Sequence, residues 1–439
     1  MADLHKIPFE LLVQILSRLP PKSLMRFKCI HKSFDALVNN PQFAVKHLHY
    51  YNERSSSTCI LFRRTAEHKT ENDKQQIYFS FLHLRYDNDV DDGDDHSLHF
   101  SLEDIHFPLS MGLKVRGPFI ELPDISGTGL RDESVTILAH CDGIFCVSLY
   151  GGNLVLYNPG INEFKIIPES CLRDGIGFFV GFGFDPKSKD YLLVRIVSFK
   201  DLYDGEYEEH LVIQPPRAEV YTLRANSWRE VNADNLHTET RNIFGLDCQT
   251  CFKGIFYWKG YDEPREYMSS YDRDVEDLKY LVILFDACDR VFHSVKLPEC
   301  FYQFPLHEFI LTVWNNSVVL YGFYRGGDQP FEIWGMDDFA TTGINCSWTK
   351  HISIVLTLKA EIRVPLILGL WKSDEVLLLA KNGCLVSYNF VTDKLKHLPI
   401  HYLSHGNYNQ VVCKRSIVSV NGGNKFESKD VISNRVSCP

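Results

Sequence analysis

The chain has no run of about 20 apolar residues, the length a helix needs to cross a bilayer, although 45% of its 439 residues are hydrophobic. It shows no secretory leader: "MADLHKIPFE" has no apolar centre, and Glu10, Gln14 and Arg18 interrupt the first apolar residues. Its thirteen cysteines, odd in number and irregular in spacing, are therefore expected as free thiols in a reducing compartment, the cytoplasm or the nucleus. A basic excess is missing too. The 46 Lys and Arg are outnumbered by 56 Asp and Glu, a net charge of -10, which argues against nucleic acid as a partner.

Signatures of chemistry are equally scarce. Neither G-x-S-x-G nor H-E-x-x-H occurs. Catalytic triads assemble in space, so an enzyme stays open as an alternative, but nothing here asks for one. Cys248 and Cys251 make a lone C-x-x-C, whereas a zinc site needs four ligands. The acidic run Asp87–Asp95 fails as a calcium loop, because its sixth and twelfth positions are Asp92 and Leu98. It is either a solvated loop or an insertion that touches a basic target. Gly177, Gly181 and Gly183 are out of order for a phosphate-binding fingerprint, and tight strand packing explains them better. No metal or cofactor is expected.

Charge is unevenly spread. Residues 1–50 hold seven Lys/Arg against three acids, a charge of +4, leaving -14 for residues 51–439. A basic head on an acidic body suggests two surfaces with different partners.

Residues 5–50 read as short helices. Pro8 suits a first helical turn, where its missing N–H costs nothing. Leu11, Leu12, Ile15, Leu16 and Leu19 then fall at helical spacing as one apolar stripe, ended by Pro20-Pro21. Leu24, Met25 and Phe27 mark a second helix, and Ile30, Phe34 and Leu37 a third. Pro41 opens a fourth, with Phe43, Ala44 and Leu48 expected inward and Gln42, Lys46 and His47 outward. So small a bundle has a marginal core and needs a partner or a neighbouring domain.

The segment "IPFELLVQILSRLPPKSLMRFKCIHKSF" resembles the F-box of plants almost throughout. One departure is Phe34 where the family has Trp; it keeps an apolar ring and loses the indole N–H. The resemblance implies that Ile7, Pro8, Leu11, Leu12, Ile15, Leu16, Pro20, Leu24 and Phe27 enter a groove on a small acidic Skp-type adaptor. Cullin and RING subunits would follow through that adaptor. Without the resemblance, the same positions simply form the head's own core.

After residue 50, short strands separated by Gly, Asn, Asp and Pro turns take over, and a two-part repeat shows. Its first part is a turn and an apolar strand: "CDGIFCVSLYGG", "CFKGIFYWKG", "WNNSVVLYGFY", "KSDEVLLLAKNG". Its second is a strand ending in an aromatic (Tyr157, Tyr221, Phe285, Trp334, Tyr388), a polar turn, and a return through Phe164, Trp228, Phe292, Trp348 or Leu395. Those return residues are 64, 64, 56 and 47 positions apart, a period that suits four-stranded blades. With a sixth unit in 57–120, the expectation is a mainly β chain built as a six-bladed β-propeller behind a small helical domain. A stack of β-sandwiches is the competing architecture.

The body resembles the F-box-associated domain of plant F-box proteins in "CDGIFCV", "LYNPGINEFKIIP", "GFGFDPKSKDYLLVRIV" and "AEVYTLRANSWREV". Together with "SSSTCILFRR", "IWGMDD" and "LWKSDEVLLLA", the chain is similar to the S-locus F-box group of the rose family. The resemblance implies a non-catalytic substrate receptor in pollen whose targets are basic secreted ribonucleases of the style. The expected domains are an F-box at 1–50, the propeller at 51–420 and a disordered tail at 421–439. Loops 85–96, 200–216 and 261–279 are the expected recognition elements, since loops on a rigid scaffold usually carry binding.

Overall fold

The computed structural model describes residues 8–54, 57–66, 76–86, 98–105, 136–149, 153–172, 177–204, 209–236, 241–242, 250–262, 266–267, 279–303, 309–322, 331–339, 346–354, 366–380, 384–398 and 411–421. Ile7, the acidic run Asp87–Asp95, Cys248 and the tail 422–439 lie outside them. Among the described residues there are four helices: α1 (Phe9–Leu16), α2 (Pro21–Lys28), α3 (Lys32–Val38) and α4 (Pro41–Arg54). Six antiparallel sheets follow, the blades of a β-propeller. Blade two spans 136–166, blade three 177–231, blade four 241–296, blade five 309–354 and blade six 366–398. Blade one takes three strands from 57–105 and its fourth from Val411–Cys413, which pairs with Ser57–Ala66 and closes the ring.

Both halves of the sequence repeat have a local cause. In three of its four copies the first half is a two-residue hairpin turn with both central residues at positive φ. These are Asp142-Gly143 (49° and 80°), Lys253-Gly254 (51° and 82°) and Asn315-Asn316 (47° and 60°). The twist of such turns matches that of the flanking strands. The second half is the hairpin between third and fourth strands. Tyr157 lies opposite Phe164, Tyr221 opposite Trp228, Phe285 opposite Phe292 and Tyr388 opposite Leu395. Blade five differs: Trp334 lies opposite Lys350 and Trp348 opposite Met336, and a bulge interrupts the pairing at Ile333/Trp334. The three tyrosines donate to the turn residue five positions on: Asn162 (3.2 Å), Asn226 (2.8 Å) and Asp393 (2.9 Å). Each acceptor sits at positive φ, which short polar side chains tolerate best after glycine.

Second strands lose the alternation typical of half-exposed sheets. Residues 144–147, 192–197 and 255–260 are buried throughout, because a neighbouring blade covers each face. The outermost strand Glu163–Ile166 keeps it, half-buried and exposed in turn. Side chains clip blades together: Trp228 donates its indole N–H to the Pro168 carbonyl (2.9 Å) and Trp348 to that of Lys296 (2.9 Å). Gly183, on the first strand of blade three, meets blade four so closely that a Cβ there would lie 2.7 Å from that of Cys251. Tight packing, not phosphate binding, requires that glycine.

Residues 200–204 and 209–216 are strand rather than loop. The hairpin of Asp190–Asp204 with Glu209–Thr222 stays paired out to Asp204 and Glu209. Glu266–Tyr267, from the 261–279 segment, adds a third strand against Leu211 and Val212. Two of the three expected recognition segments therefore meet in the five-stranded sheet of blade three.

Candidate functional site

The helical head follows from its punctuation. Pro8 precedes α1 at φ -53° and ψ 139°, one position earlier than expected, and its carbonyl accepts the Leu12 N–H (3.1 Å). Pro20 likewise caps α2, with Pro21 at the first helical position. His31 caps α3, accepting the Ser33 N–H on Nδ1 (3.2 Å), and the Asn40 side chain accepts from Gln42 N–H (2.8 Å) at the start of α4.

The single stripe expected on α1 splits into two. Leu12, Leu16 and Leu19 face inward, whereas Leu11 and Ile15 face out and are each 49% exposed. Positions 11 and 15, like 12 and 16, are one turn apart, and the two rows are offset by one residue, about 100° around the helix. Pro8, Phe9 and Pro20 are exposed beside the outer row, and Ile30 stands out at the end of α2, 64% exposed. Leu16 (2% exposed) and Leu24 (0%) sit wholly in the core with Phe34, Val38, Phe43 and Ala44. The resemblance placed both in the adaptor groove; in this structure both side chains are enclosed by the head itself. Phe27 is half-buried, its ring edge-on to Phe34 at 5.7 Å. Phe34 is buried, so the ring expected to replace Trp does fill the core.

The head is not free of the propeller. Ile417, just past the ring-closing strand, is 4% exposed and belongs to the head's core. Asn158, from blade two, donates to the Ser416 and Val418 carbonyls (3.3 and 2.8 Å) and accepts from Gly160 N–H (2.9 Å). Lys22 of α2 pairs with Glu103 of blade one. A bundle too small to complete its own core thus borrows an apolar residue from the far end of the chain.

Comparison with known proteins agrees with this architecture. Residues 4–46 match the F-box domain, and residues 99–421 match the F-box associated beta propeller domain. The chain belongs to the plant F-box proteins that carry this propeller. Among its relatives in Arabidopsis thaliana are the putative F-box protein At3g16210 and the F-box protein CPR1. The first is 28% identical over 66% of this chain and 61% of its own length. The second is 27% identical over 90% of this chain and 84% of its own. The chain spans less than two thirds of the first and more of the second. Among the described residues no group of three His, Cys, Asp or Glu side chains is placed to hold a metal, and no helix is long and apolar enough to cross a membrane.

His47 corrects one expectation for the F-box. It points inward, fully buried, with Nε2 2.8 Å from the Leu19 carbonyl and its ring stacked on Tyr51 at 5.1 Å. Helical phase alone put it outside; the hydrogen bond to Leu19 and the rings of Phe43 and Tyr51 enclose it within the head. Among the described residues its Nδ1 has no partner, so a second proton there would be an unpaired buried donor. Burial lowers its pKa below 6.5, and the hydrogen bond to Leu19 only partly offsets this. The unfolded chain therefore binds the proton first, and His47 contributes stability above pH 6.5 that is lost as pH falls through its lowered folded value. Melting temperatures between about pH 7 and pH 5 should fall for the native chain and fall less for His47→Phe.

Sequence reasoning missed Phe9, Ile417 and Asn158, and it assigned Ile30 to the third helix, whereas Ile30 lies exposed between α2 and α3. An eight-residue helix apolar on both faces could have flagged Phe9. Nothing along the chain marks Ile417 as part of a head that ends near residue 50.

Proposed function

We propose that this chain recruits a Skp-type adaptor through the outward row of α1 and holds a protein target on its propeller for ubiquitination. Pro8, Leu11, Ile15 and Pro20 make the docking surface, with Phe9 and Ile30 beside it and half-buried Leu12 and Phe27 at its edge. Leu16 and Leu24 act from beneath, and Ile7 precedes the same row in the sequence. The observation that carries the reading is an apolar row left uncovered on α1, directly above a packed core of Leu16, Leu24 and Phe34. The basic charge of the first 50 residues suits an acidic adaptor. The transfer chemistry belongs to the recruited cullin and RING subunits, and this chain contributes proximity. Its anchored head supports that role, since a fixed bearing between adaptor and target limits the geometries the ligase must search. The reading places the chain in the cytoplasm and the nucleus, with no nucleic-acid or membrane partner and no cofactor.

For the target, a basic secreted ribonuclease of the style, captured in pollen, fits the charge. Residues 200–216 carry five acids against one lysine, and 261–279 seven acids against three bases. Leu211 and Val212 of the first segment pair with Glu266 and Tyr267 of the second in the sheet of blade three. A receptor for another protein fits the fold equally and would lack that charge preference. Co-expression of the full chain with a Skp-type adaptor should give a stable complex, and its failure to form would sink the adaptor reading. Binding of a style ribonuclease to that complex should weaken steeply as salt rises. No binding at low salt would leave the adaptor reading standing and remove the ribonuclease.

A further inference from the structure

The ring closure holds a pair of thiols that the ligase reading does not use. Cys59 and Cys413 lie directly opposite each other on the first and last strands of the propeller, 354 residues apart in the chain, with their sulfurs 3.6 Å apart. We propose that these two cysteines form a peroxide-oxidisable dithiol whose disulfide staples the propeller shut. Opposed residues on antiparallel strands have Cα atoms about 4.5 or 5.5 Å apart, inside the range a disulfide spans. The sulfurs need only close to about 2.0 Å.

The two thiols are not equivalent. On its other side Cys59 faces His83 of the second strand, whose Nε2 lies 3.4 Å from Glu103 Oε2. Arg415 reaches the same carboxylate at 3.2 Å. A hydrogen bond from Cys413 draws the Cys59 thiol below its ordinary pKa against the cost of burial, and His83 and Arg415 add to the effect. Burial pushes the Cys413 thiol well up. Cys59 is thus the nucleophile and Cys413 the resolving thiol. Both residues are buried, so the co-reactant must be small, and hydrogen peroxide fits. The Cys59 thiolate attacks one peroxide oxygen; an S–O bond forms, the O–O bond breaks, and hydroxide leaves with a proton as water. Cys413 sulfur then attacks that sulfenic sulfur. The S–S bond forms, the S–O bond breaks, and the hydroxide departs with the Cys413 proton as a second water. Two thiols lose two electrons in all, and one peroxide gains them. The staple would hold the strand that leads directly to Ile417, and so the seat of the head.

The full reduced chain, treated with stoichiometric hydrogen peroxide and mapped without reductant, should yield a Cys59–Cys413 linked peptide lighter by two hydrogens. Dithiothreitol should reverse it, and the oxidised chain should melt several degrees higher. In Cys413→Ser, dimedone should trap a sulfenic acid at Cys59 at least tenfold faster than at Cys146, which is also buried but lies in blade two. The mapping of the native chain does not depend on the variant folding. Absence of the linked peptide from folded native chain overturns the proposal, and so does equal dimedone labelling of Cys59 and Cys146 in a folded variant.

Discussion

Replacing Leu11 or Ile15 with Asp is expected to abolish adaptor capture while leaving the fold intact. Both side chains are about half exposed on α1, so a charge there is hydrated in the free protein, and surface changes of this kind usually cost within about 0.5 kcal/mol of stability. In a complex the same carboxylate would be buried without a partner, and hot-spot losses run at about 2–4 kcal/mol, roughly 30- to 800-fold in affinity. Leu16→Ala and Leu24→Ala supply the contrast. They lie in the core and should cost about 2–5 kcal/mol of stability, weakening capture only as far as they unfold the head. Calorimetric binding and thermal melting of the four variants separate the roles. If Leu11→Asp and Ile15→Asp bind as the native chain does, the outward row is not the docking surface.

The largest single loss of stability is expected from Glu219→Ala. Glu219 and Arg195 oppose each other on the two middle strands of blade three and form an ion pair at 2.9 Å, with side chains 0% and 4% exposed. Glu219 does more than pair. Its Oε2 accepts the backbone N–H of Cys171 (3.0 Å) and of Leu172 (3.3 Å), and its Oε1 accepts from the Ser170 hydroxyl. These tie the blade to the segment arriving from blade two. Removing the carboxylate leaves a buried guanidinium without its counter-charge, a loss of about 3–5 kcal/mol. Chemical denaturation should show the midpoint fall with an unchanged slope. A double replacement, Arg195→Met with Glu219→Leu, should recover part of the loss. Full recovery is not expected, because the Cys171 N–H still loses its acceptor, at about 1–3 kcal/mol for a group left unsatisfied, whereas the Leu172 N–H keeps the Ser170 Oγ at 3.0 Å. A double variant as stable as the native chain would mean that the Cys171 amide finds another partner.

Much of the fold lay open in the sequence because its determinants are local. The aromatic and the polar turn residue five positions later, as in Tyr157 with Asn162 and Tyr388 with Asp393, are close in the chain and close in space. Paired turn residues such as Asp142-Gly143 set their own backbone angles. Repetition of these units made a propeller legible, and the outward surface of α1 was half legible. Five apolar residues at helical spacing mark a helix that must be buried, yet periodicity cannot say which of two adjacent rows turns inward.

By itself the sequence determined the helices, the hairpins, the blade repeat and the charge divided between head and body, since each depends on residues a few positions apart. Only the tertiary structure decided that His47 is buried, that Ile417 completes the head, that segments 200–216 and 261–279 share a sheet, and that Cys59 meets Cys413. The Ile417 and Cys413 contacts depend on the ring closing, which brings together residues hundreds of positions apart, while His47 meets Leu19 and 211–212 meets 266–267 through the packing of neighbouring elements. None of these encounters leaves a period or spacing in the chain.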